Sequence, residues 1–284
     1  MKIDLHMHSR VSDGTDSPLE LLGKVRDAGL EVFSLTDHDA IKGCAEIRSN
    51  IKGGDPRFIT GAEFSCRDEL GKYHILGYGF DTLSGAMPEF IEGSHNTRMK
   101  KLEARLAFLK SEMGIEFPEE ECRALLALDN PGKPHIANLM VKYGYAESKE
   151  MAFQNTLNRL PVLVSYIRPE QAIDAILAGG GVPVLAHPSY GDGDQLILGS
   201  ELNDRVGRLV EYGLRGLEAF YSGFTPQITN EVLDLADRYD LYVTAGSDYH
   251  GSNKMIVLGD IGMLGSETCS ARLDAFLGRV LNES

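Results

Sequence analysis

The sequence predicts an α/β fold built from parallel strand–helix units, and three observations carry that expectation. Short apolar runs of strand length alternate with amphipathic stretches of helical period. The alternation stops near residue 82 and resumes near residue 165. The stretch between carries helical periodicity without strand signals. At 284 residues the chain can hold one large domain or two ordinary ones. Segments 1–82 and 165–284 are therefore read as one α/β unit, interrupted by a helical insertion over 83–164.

Residues 2–6 (KIDLH) read as a short buried strand. Ser17-Pro18-Leu19-Glu20 starts a helix: Ser17 caps it, Pro18 suits the first helical position, and Glu20 completes a capping box. Leu21, Leu22 and Val25 supply the apolar stripe and Gly29 the stop. Residues 31–36 read as the next strand, and 57–64 and 72–80 as two more around a turn at Glu69-Leu70-Gly71. In the insertion, Met99, Leu102, Leu106 and Leu109 recur at helical spacing within 86–128. Asn130-Pro131-Gly132-Lys133-Pro134 breaks the pattern, and a second helical stretch covers about 135–159. Beyond it come helix 169–178, ended by Gly179-Gly180-Gly181, then strand 182–186, helix 202–212, strand 215–220, helix 226–239, strand 241–246 and a last helix over 268–281. About seven strands suffice to close a barrel, with an open doubly wound sheet as the alternative.

Composition narrows the function. Hydrophobic residues make up 43% and charged residues 25%, as in ordinary globular proteins. No apolar run approaches the ~20 residues that span a bilayer. The opening MKIDLHMHSR lacks the apolar core of a secretion signal. A cytoplasmic protein with no membrane partner is expected. The net charge of −14 disfavours a long nucleic acid as partner. Three divalent ions would bring that charge to about −8 and make the local site positive, so a small anionic substrate remains compatible. Cys44, Cys66, Cys122 and Cys269 form no C-x-x-C pair and read as reduced thiols. Nothing in the sequence signals an oligomeric state.

The histidines carry the chemistry. His6 and His8 end the first strand, on one face because they are two apart. His38 follows the second strand, His74 lies in the fourth, His187 directly follows Val184-Leu185-Ala186, and Asp248 and His250 follow Thr244-Ala245-Gly246. Glu63 ends the third strand. Side chains at the carboxyl ends of parallel strands converge in space even when far apart in sequence. A single histidine at a strand end is usually structural; the recurrence here is what points to metal. Imidazoles with carboxylates suit zinc, manganese or iron rather than calcium. Six histidines with Asp13, Glu63 and Asp248 exceed the needs of one ion, so two or three divalent ions are expected.

Asp4-Leu5-His6-Met7-His8-Ser9, Ser12-Asp13-Gly14, Thr36-Asp37-His38-Asp39, Gly61-Ala62-Glu63, Ala186-His187-Pro188 and Gly246-Ser247-Asp248-Tyr249-His250-Gly251 resemble, in order, the motifs of the PHP (polymerase and histidinol phosphatase) superfamily. The resemblance implies a distorted (β/α)7 barrel with a trinuclear metal site. Carried over residue by residue, it gives His6, His8, Glu63 and Asp248 to one ion, and Asp13, His38 and His250 to a second. Glu63, His74 and His187 go to a third, with Glu63 bridging. Many relatives have histidine where this chain has Asp13. The insertion, with Gly132-Lys133-Pro134-His135, resembles that of bacterial PHP phosphoesterases that remove the 3′-phosphate of nucleoside 3′,5′-bisphosphates, some of which also trim short RNA; many have arginine at the position of Lys133. The implied reaction is hydrolysis of a phosphate monoester of a small nucleotide by metal-activated hydroxide. The alternatives are a 5′–3′ exonuclease on short RNA, a histidinol-phosphate-type phosphatase, and a non-catalytic metal- or nucleotide-binding module. Asp13, His38 and Arg10 are the expected catalytic groups. Arg10, Lys133, His135 and Tyr221 are the expected substrate contacts, Tyr221 by stacking on a base. His95 and Arg98 read as surface groups.

Overall fold

The structure is a computed structural model and describes residues 1–192, 195–262 and 270–281. Seven strands form one sheet in sequential order: β1 Ile3–Asp4, β2 Val32–Leu35, β3 Arg57–Asp68, β4 Gly71–Tyr78, β5 Val182–Leu185, β6 Gly216–Tyr221 and β7 Tyr242–Gly246. The last strand returns to the first. Leu5 N–H donates to Ala245 O (3.0 Å), Asp248 N–H to His6 O (2.7 Å) and His8 N–H to Tyr249 O (2.8 Å). The sheet is therefore a nearly closed, distorted (β/α)7 barrel, with the helical insertion leaving it between β4 and β5.

Helices α1 Pro18–Asp27, α2 Lys42–Asn50, α7 Pro169–Ala178, α8 Gly199–Glu211, α9 Pro226–Arg238 and α10 Ala271–Leu281 accompany the strands. The capping box of α1 forms as expected: Ser17 Oγ accepts from Glu20 N–H (3.2 Å), and Glu20 Oε2 accepts from Ser17 N–H (2.7 Å). Gly29 follows in the left-handed region at φ 65°. The expected strands are all present within a few residues, except that β1 is shorter and β3 runs four residues further. Helix α2 carries too weak an apolar stripe to stand out: only Gly43, Cys44 and Ile47 are buried.

One departure from parallel pairing matters for the site. β4 runs antiparallel to both β3 and β5, while the other adjacent pairs are parallel. The tight turn after β3 forces the reversal. It brings the start of β4 to the end of the barrel where the parallel strands finish, so His74 pairs with Ser65 beside Glu63.

Residues 83–164 contain α3 Met87–Met113, α4 Glu119–Leu126, α5 Lys133–Lys142 and α6 Lys149–Ala152, continued by a π-helical turn over Phe153–Leu157. Leu102, Leu109, Phe117, Leu125, Ile136, Met140 and Leu157 form an apolar cluster of their own, separate from the barrel core. Cys44 and Cys66 are buried free thiols, and burial pushes the Cys44 thiol up to about 12, so it packs as a small apolar group. Cys122 is free and half-buried, and Cys269 lies outside the described residues. Among the described residues no helix is long and apolar enough to cross a membrane.

Candidate metal centre

The strand ends deliver three overlapping sets of donors. His6, His8, Glu63 and Asp248 form one, His8, Asp13, His38 and His250 a second, and His38, Glu63 and His74 a third, with the donor atoms of each set within 4.8 Å of one another. His6 Nε2 and His8 Nε2 stand 3.2 Å apart, and both face Glu63 Oε2 (3.4 and 3.2 Å) and Asp248 Oδ1 (3.5 and 3.3 Å). Glu63 reaches in two directions. Its Oε2 meets His38 Nδ1 at 3.1 Å, and its Oε1 meets His74 Nδ1 at 2.7 Å and His187 Nε2 at 3.2 Å. Asp13 Oδ1 lies 3.4 Å from His250 Nε2. Seven of the nine have ordinary negative φ; His187 and Asp248 adopt positive φ (29° and 59°), local strain of the kind that collects at functional sites.

These groups fit divalent cations. The donor set is imidazole and carboxylate, and nearly all of it is buried. Asp13 Oδ1, His74 Nε2 and His187 Nδ1 are buried without a hydrogen-bond partner. Burial alone would raise the three carboxyls, but the basic groups that face them outweigh it and hold them well below the usual range. His74, His38 and His6 do so for Glu63; Lys254, His6 and His250 for Asp248; His38 and His250 for Asp13. All three are thus ionised at neutral pH. Burial depresses the His74 imidazole to about 3 and also lowers His38 and His250, leaving neutral rings suited to ligation.

A supporting layer surrounds the donors. Glu218, fully buried on β6, accepts from His6 Nδ1 (2.9 Å) and from the His187 N–H (2.8 Å). Asp37 accepts from Ser9 N–H (2.8 Å), Ser9 Oγ (2.7 Å) and Ser12 Oγ (2.7 Å), fixing the turn that presents Asp13. Asp4 does the same for the β7 loop through Ser247 N–H (2.9 Å) and Oγ (2.6 Å). Burial raises the Asp4 carboxyl to about 6 despite these bonds.

The donors open on a cleft of about 1080 Å³ between barrel and insertion, lined by Asp13, His38, His74 and His250 and by many cations. Arg67, Lys72, Arg98, Lys101, Arg105, Lys133, Lys149 and Lys254 all reach it. Lys133 lies in this lining as expected, and its Nζ donates to Asn158 Oδ1 (3.2 Å). Burial, reinforced by Lys72 and Arg105, lowers its pKa to about 7.

The other expected contacts are differently placed. Arg10 is exposed, its charge felt by Glu20 outside the cleft, because the chain turns sharply after Ser9. Tyr221 is buried under the donors, where its hydroxyl donates to Asp248 Oδ2 (3.0 Å); it supports a ligand candidate and offers no face to a base. His135 accepts the Gly132 N–H through Nδ1 (3.1 Å) at the start of α5 and is not among the cleft-lining groups. His95 is half-buried and hydrogen-bonds Asn130 Oδ1 (2.9 Å). Arg98 is no surface group: it is 7% exposed and reaches Asp39 Oδ2 (3.2 Å) and Asp13 Oδ2 (3.6 Å). Lys72, Lys101, Arg105 and Glu218 had no distinguishing motif; only the helical spacing of Arg98, Lys101 and Arg105 on α3 could have flagged three of these cations as one face.

A barrel with convergent metal donors beside a cationic cleft defines a metal-dependent hydrolase of phosphate esters. The PHP domain family matches residues 4–156, and the chain belongs to that family. It is 30% identical over 258 residues to a phosphoribosyl 1,2-cyclic phosphate 1,2-diphosphodiesterase of Eggerthella lenta, covering 87% of this chain and 94% of the relative. It is 29% identical to a 5′-3′ exoribonuclease of Haemophilus influenzae (91% and 93% covered) and 28% identical to a 3′,5′-nucleoside bisphosphate phosphatase of Chromobacterium violaceum (87% and 87%). A solved structure described as a metal-dependent phosphoesterase of Bifidobacterium adolescentis superposes with a TM-score of 0.83 at 25% identity, covering 98% of this chain and 96% of the other.

Proposed function

We propose that this enzyme removes the 3′-phosphate of a small nucleoside 3′,5′-bisphosphate, using two or three divalent ions drawn from manganese, iron and zinc. One observation carries the reading: the cleft holds donor clusters and a second, separate set of cations. Lys72, Lys101, Arg105 and Lys133 have no carboxylate at ion-pair distance among the described residues, and each depresses or is depressed by others of the group. Clustered cations, Lys101 buried and the other three half-buried, that lack anionic partners call for an anion from outside. A bisphosphate supplies it: one phosphate for the ions and one for the cations.

In the residue assignment, His6, His8, Glu63 and Asp248 hold one ion, Asp13, His38 and His250 a second, and Glu63, His74 and His187 a third. Bound ions would supply a water of lowered pKa and neutralise charge on the reacting phosphate. The chain does the rest. Glu63 joins the first and third sets, Glu218 fixes the tautomer of His6, and Lys254, at the cleft wall beside Asp248 (2.5 Å), is placed to meet a phosphate oxygen. Lys72 stands two residues before His74 on β4, so both leave the same face of the strand and hold the two phosphates apart. Phe153, Leu157, Leu160, Pro161 and Val162 line the wall contributed by the insertion, an apolar surface for the base. In this reading segment 83–164 is a lid that selects the nucleoside, and the setting is cytoplasmic.

The test is phosphate release in Mn²⁺ from a panel of 3′-phosphoadenosine 5′-phosphate, 3′-AMP, 5′-AMP, histidinol phosphate, a 5′-phosphorylated RNA dinucleotide and an aryl phosphate. Preference for the bisphosphate over 3′-AMP supports the proposal, and equal turnover of the two rejects the role of the second phosphate. A second reading, trimming of short RNA from its 5′ end, is favoured by the cleft volume, which exceeds the roughly 300–1,000 Å³ of ordinary small-molecule sites. Preference for the dinucleotide with release of mononucleotides would establish it instead. At saturating Mn²⁺, deleting the insertion should spare the aryl phosphate and abolish nucleotide preference; equal loss of both from a folded, metal-loaded protein rejects the lid.

A further inference from the structure

The insertion touches the donor groups through few polar contacts, and they converge on Asp13 and His38, which the assignment above gives to one ion. Arg98 of α3 donates from Nε to the carbonyls of Asn130 (3.1 Å) and Pro131 (3.0 Å), from Nη1 to Asp39 Oδ2 (3.2 Å), and places Nη2 3.6 Å from Asp13 Oδ2. The carboxamide of Asn130 donates to the His38 carbonyl. Lys149, opening α6, donates to Asn253 Oδ1 (2.7 Å), and Asn253 Nδ2 donates to the Asp13 carbonyl (2.7 Å). Gly132 leaves room for this closure: a Cβ there would come 2.6 Å from Arg98 Nη2 and 3.4 Å from Asp13 Oδ2.

The set formed by His6, His8, Glu63 and Asp248 is held differently. Its supports are Glu218 on His6 and Tyr221 and Lys254 on Asp248, all from the barrel side. No hydrogen bond among the described residues joins it to 83–164. The two oxygens of Asp13 are also divided. Oδ2 faces Arg98, while Oδ1, beside His250, is buried without a hydrogen-bond partner and is aimed at the donor set.

We propose that Arg98, Asn130, Asn253 and Lys149 are positioning residues for the ion held by Asp13, His38 and His250, so that docking of the insertion and binding of that one ion form a single coupled equilibrium. The inference rests on the ion assignment above. If a docked insertion favours the ion, the ion favours docking by the same factor. The ion held by His6, His8, Glu63 and Asp248 is indifferent to the insertion.

The experiment compares the full-length protein with Lys149→Ala and Asn130→Ala. Asn130→Ala removes no charge, and Lys149→Ala removes a cleft cation, which by charge alone would tighten binding of the ion, so weaker binding in both reports lost positioning. Retained manganese is counted by elemental mass spectrometry after equilibration at graded free Mn²⁺, and amide hydrogen exchange over 130–157 is followed with and without Mn²⁺. Each variant should bind one ion roughly ten-fold more weakly and the others unchanged. Mn²⁺ should slow exchange over 130–157 in the parent and do so less in the variants. Unchanged affinity for every ion, or equal loss of all, overturns the coupling. A parent that binds fewer than two ions overturns the ion assignment instead. Should Asn130→Ala fail to fold, Lys149→Ala, at a half-exposed position, carries the test.

Discussion

Glu218 Oε1 lies 2.9 Å from His6 Nδ1, with both side chains wholly buried and neither open to the cleft. The carboxylate is not in any of the three donor sets. It holds the proton on Nδ1 and turns Nε2 towards Glu63 and Asp248. Glu218→Gln should therefore lower metal affinity by about 10–100-fold while leaving the fold intact. Calorimetric titration of the metal-free protein with Mn²⁺ measures this, and unaltered affinity would remove Glu218 from the site's support.

Lys133 gives a prediction in pH. Its folded pKa of about 7 is below the unfolded lysine value, chiefly because of burial. Between the two values the unfolded chain binds the extra proton, so the protein without substrate gains stability as pH rises from about 7 towards ~10.5. Below about 7 the penalty is fully present. Lys133→Met should raise the Tm of the ligand-free protein at pH 6 and by less at pH 9. The same variant should raise KM for a bisphosphate with little change for an aryl phosphate. A Tm gain that does not depend on pH would contradict the assignment.

Gly246 ends β7 directly beneath the first histidine. A Cβ there would meet His6 Cβ at 2.2 Å and Glu218 Oε1 at 2.6 Å, and neither neighbour has space to withdraw. Gly246→Ala should cost about 1–3 kcal/mol in thermal unfolding. It should also reduce the number of ions retained, since the clash displaces His6. Normal stability and a full complement of ions would mean that the β1–β7 seam is looser than its bonds imply.

Asp13 invites substitution by histidine, the other metal-competent side chain that the resemblance to the family leads one to expect there. Here the carboxylate serves Arg98 as well as the donor set. Asp13→His would leave the buried guanidinium with Asp39 as its one carboxylate partner. The variant should unfold about 1–3 kcal/mol more easily. Combining it with Arg98→Met should cost less than the two changes summed, the mark of direct coupling. Simple additivity would show that the pair does not interact.

How much of this was legible in the sequence follows from how tightly chemistry constrains residue type. Metal ligation accepts few side chains, and they must arrive at strand ends. His6, His8, Glu63, His187, Asp248 and His250 therefore stand out against the apolar runs that precede them. The helices announced themselves by caps and stops, as Ser17 and Gly29 did. Cations on a helix give no comparable signal. Arg98, Lys101 and Arg105 have the spacing of an ordinary solvated face, and only tertiary packing turns that face towards the cleft. Arg10 erred the other way: proximity to His8 in sequence is undone by one turn of backbone. A strand's last side chain can point beneath the site as readily as into it, and Tyr221 takes the first course. The reversal of β4, by contrast, was legible in the turn at Glu69-Leu70-Gly71, since so short a connection permits only antiparallel pairing.

That reversed strand makes the site a ruler. His74 and Lys72 project from one stiff element about 7 Å apart, at roughly 3.3 Å of rise per residue, and no loop movement alters the interval. Under the proposed function, substrate length would be gauged by the fixed rise of the strand, and mutation at the cationic end would change which molecule fits while the donor sets stay where they are.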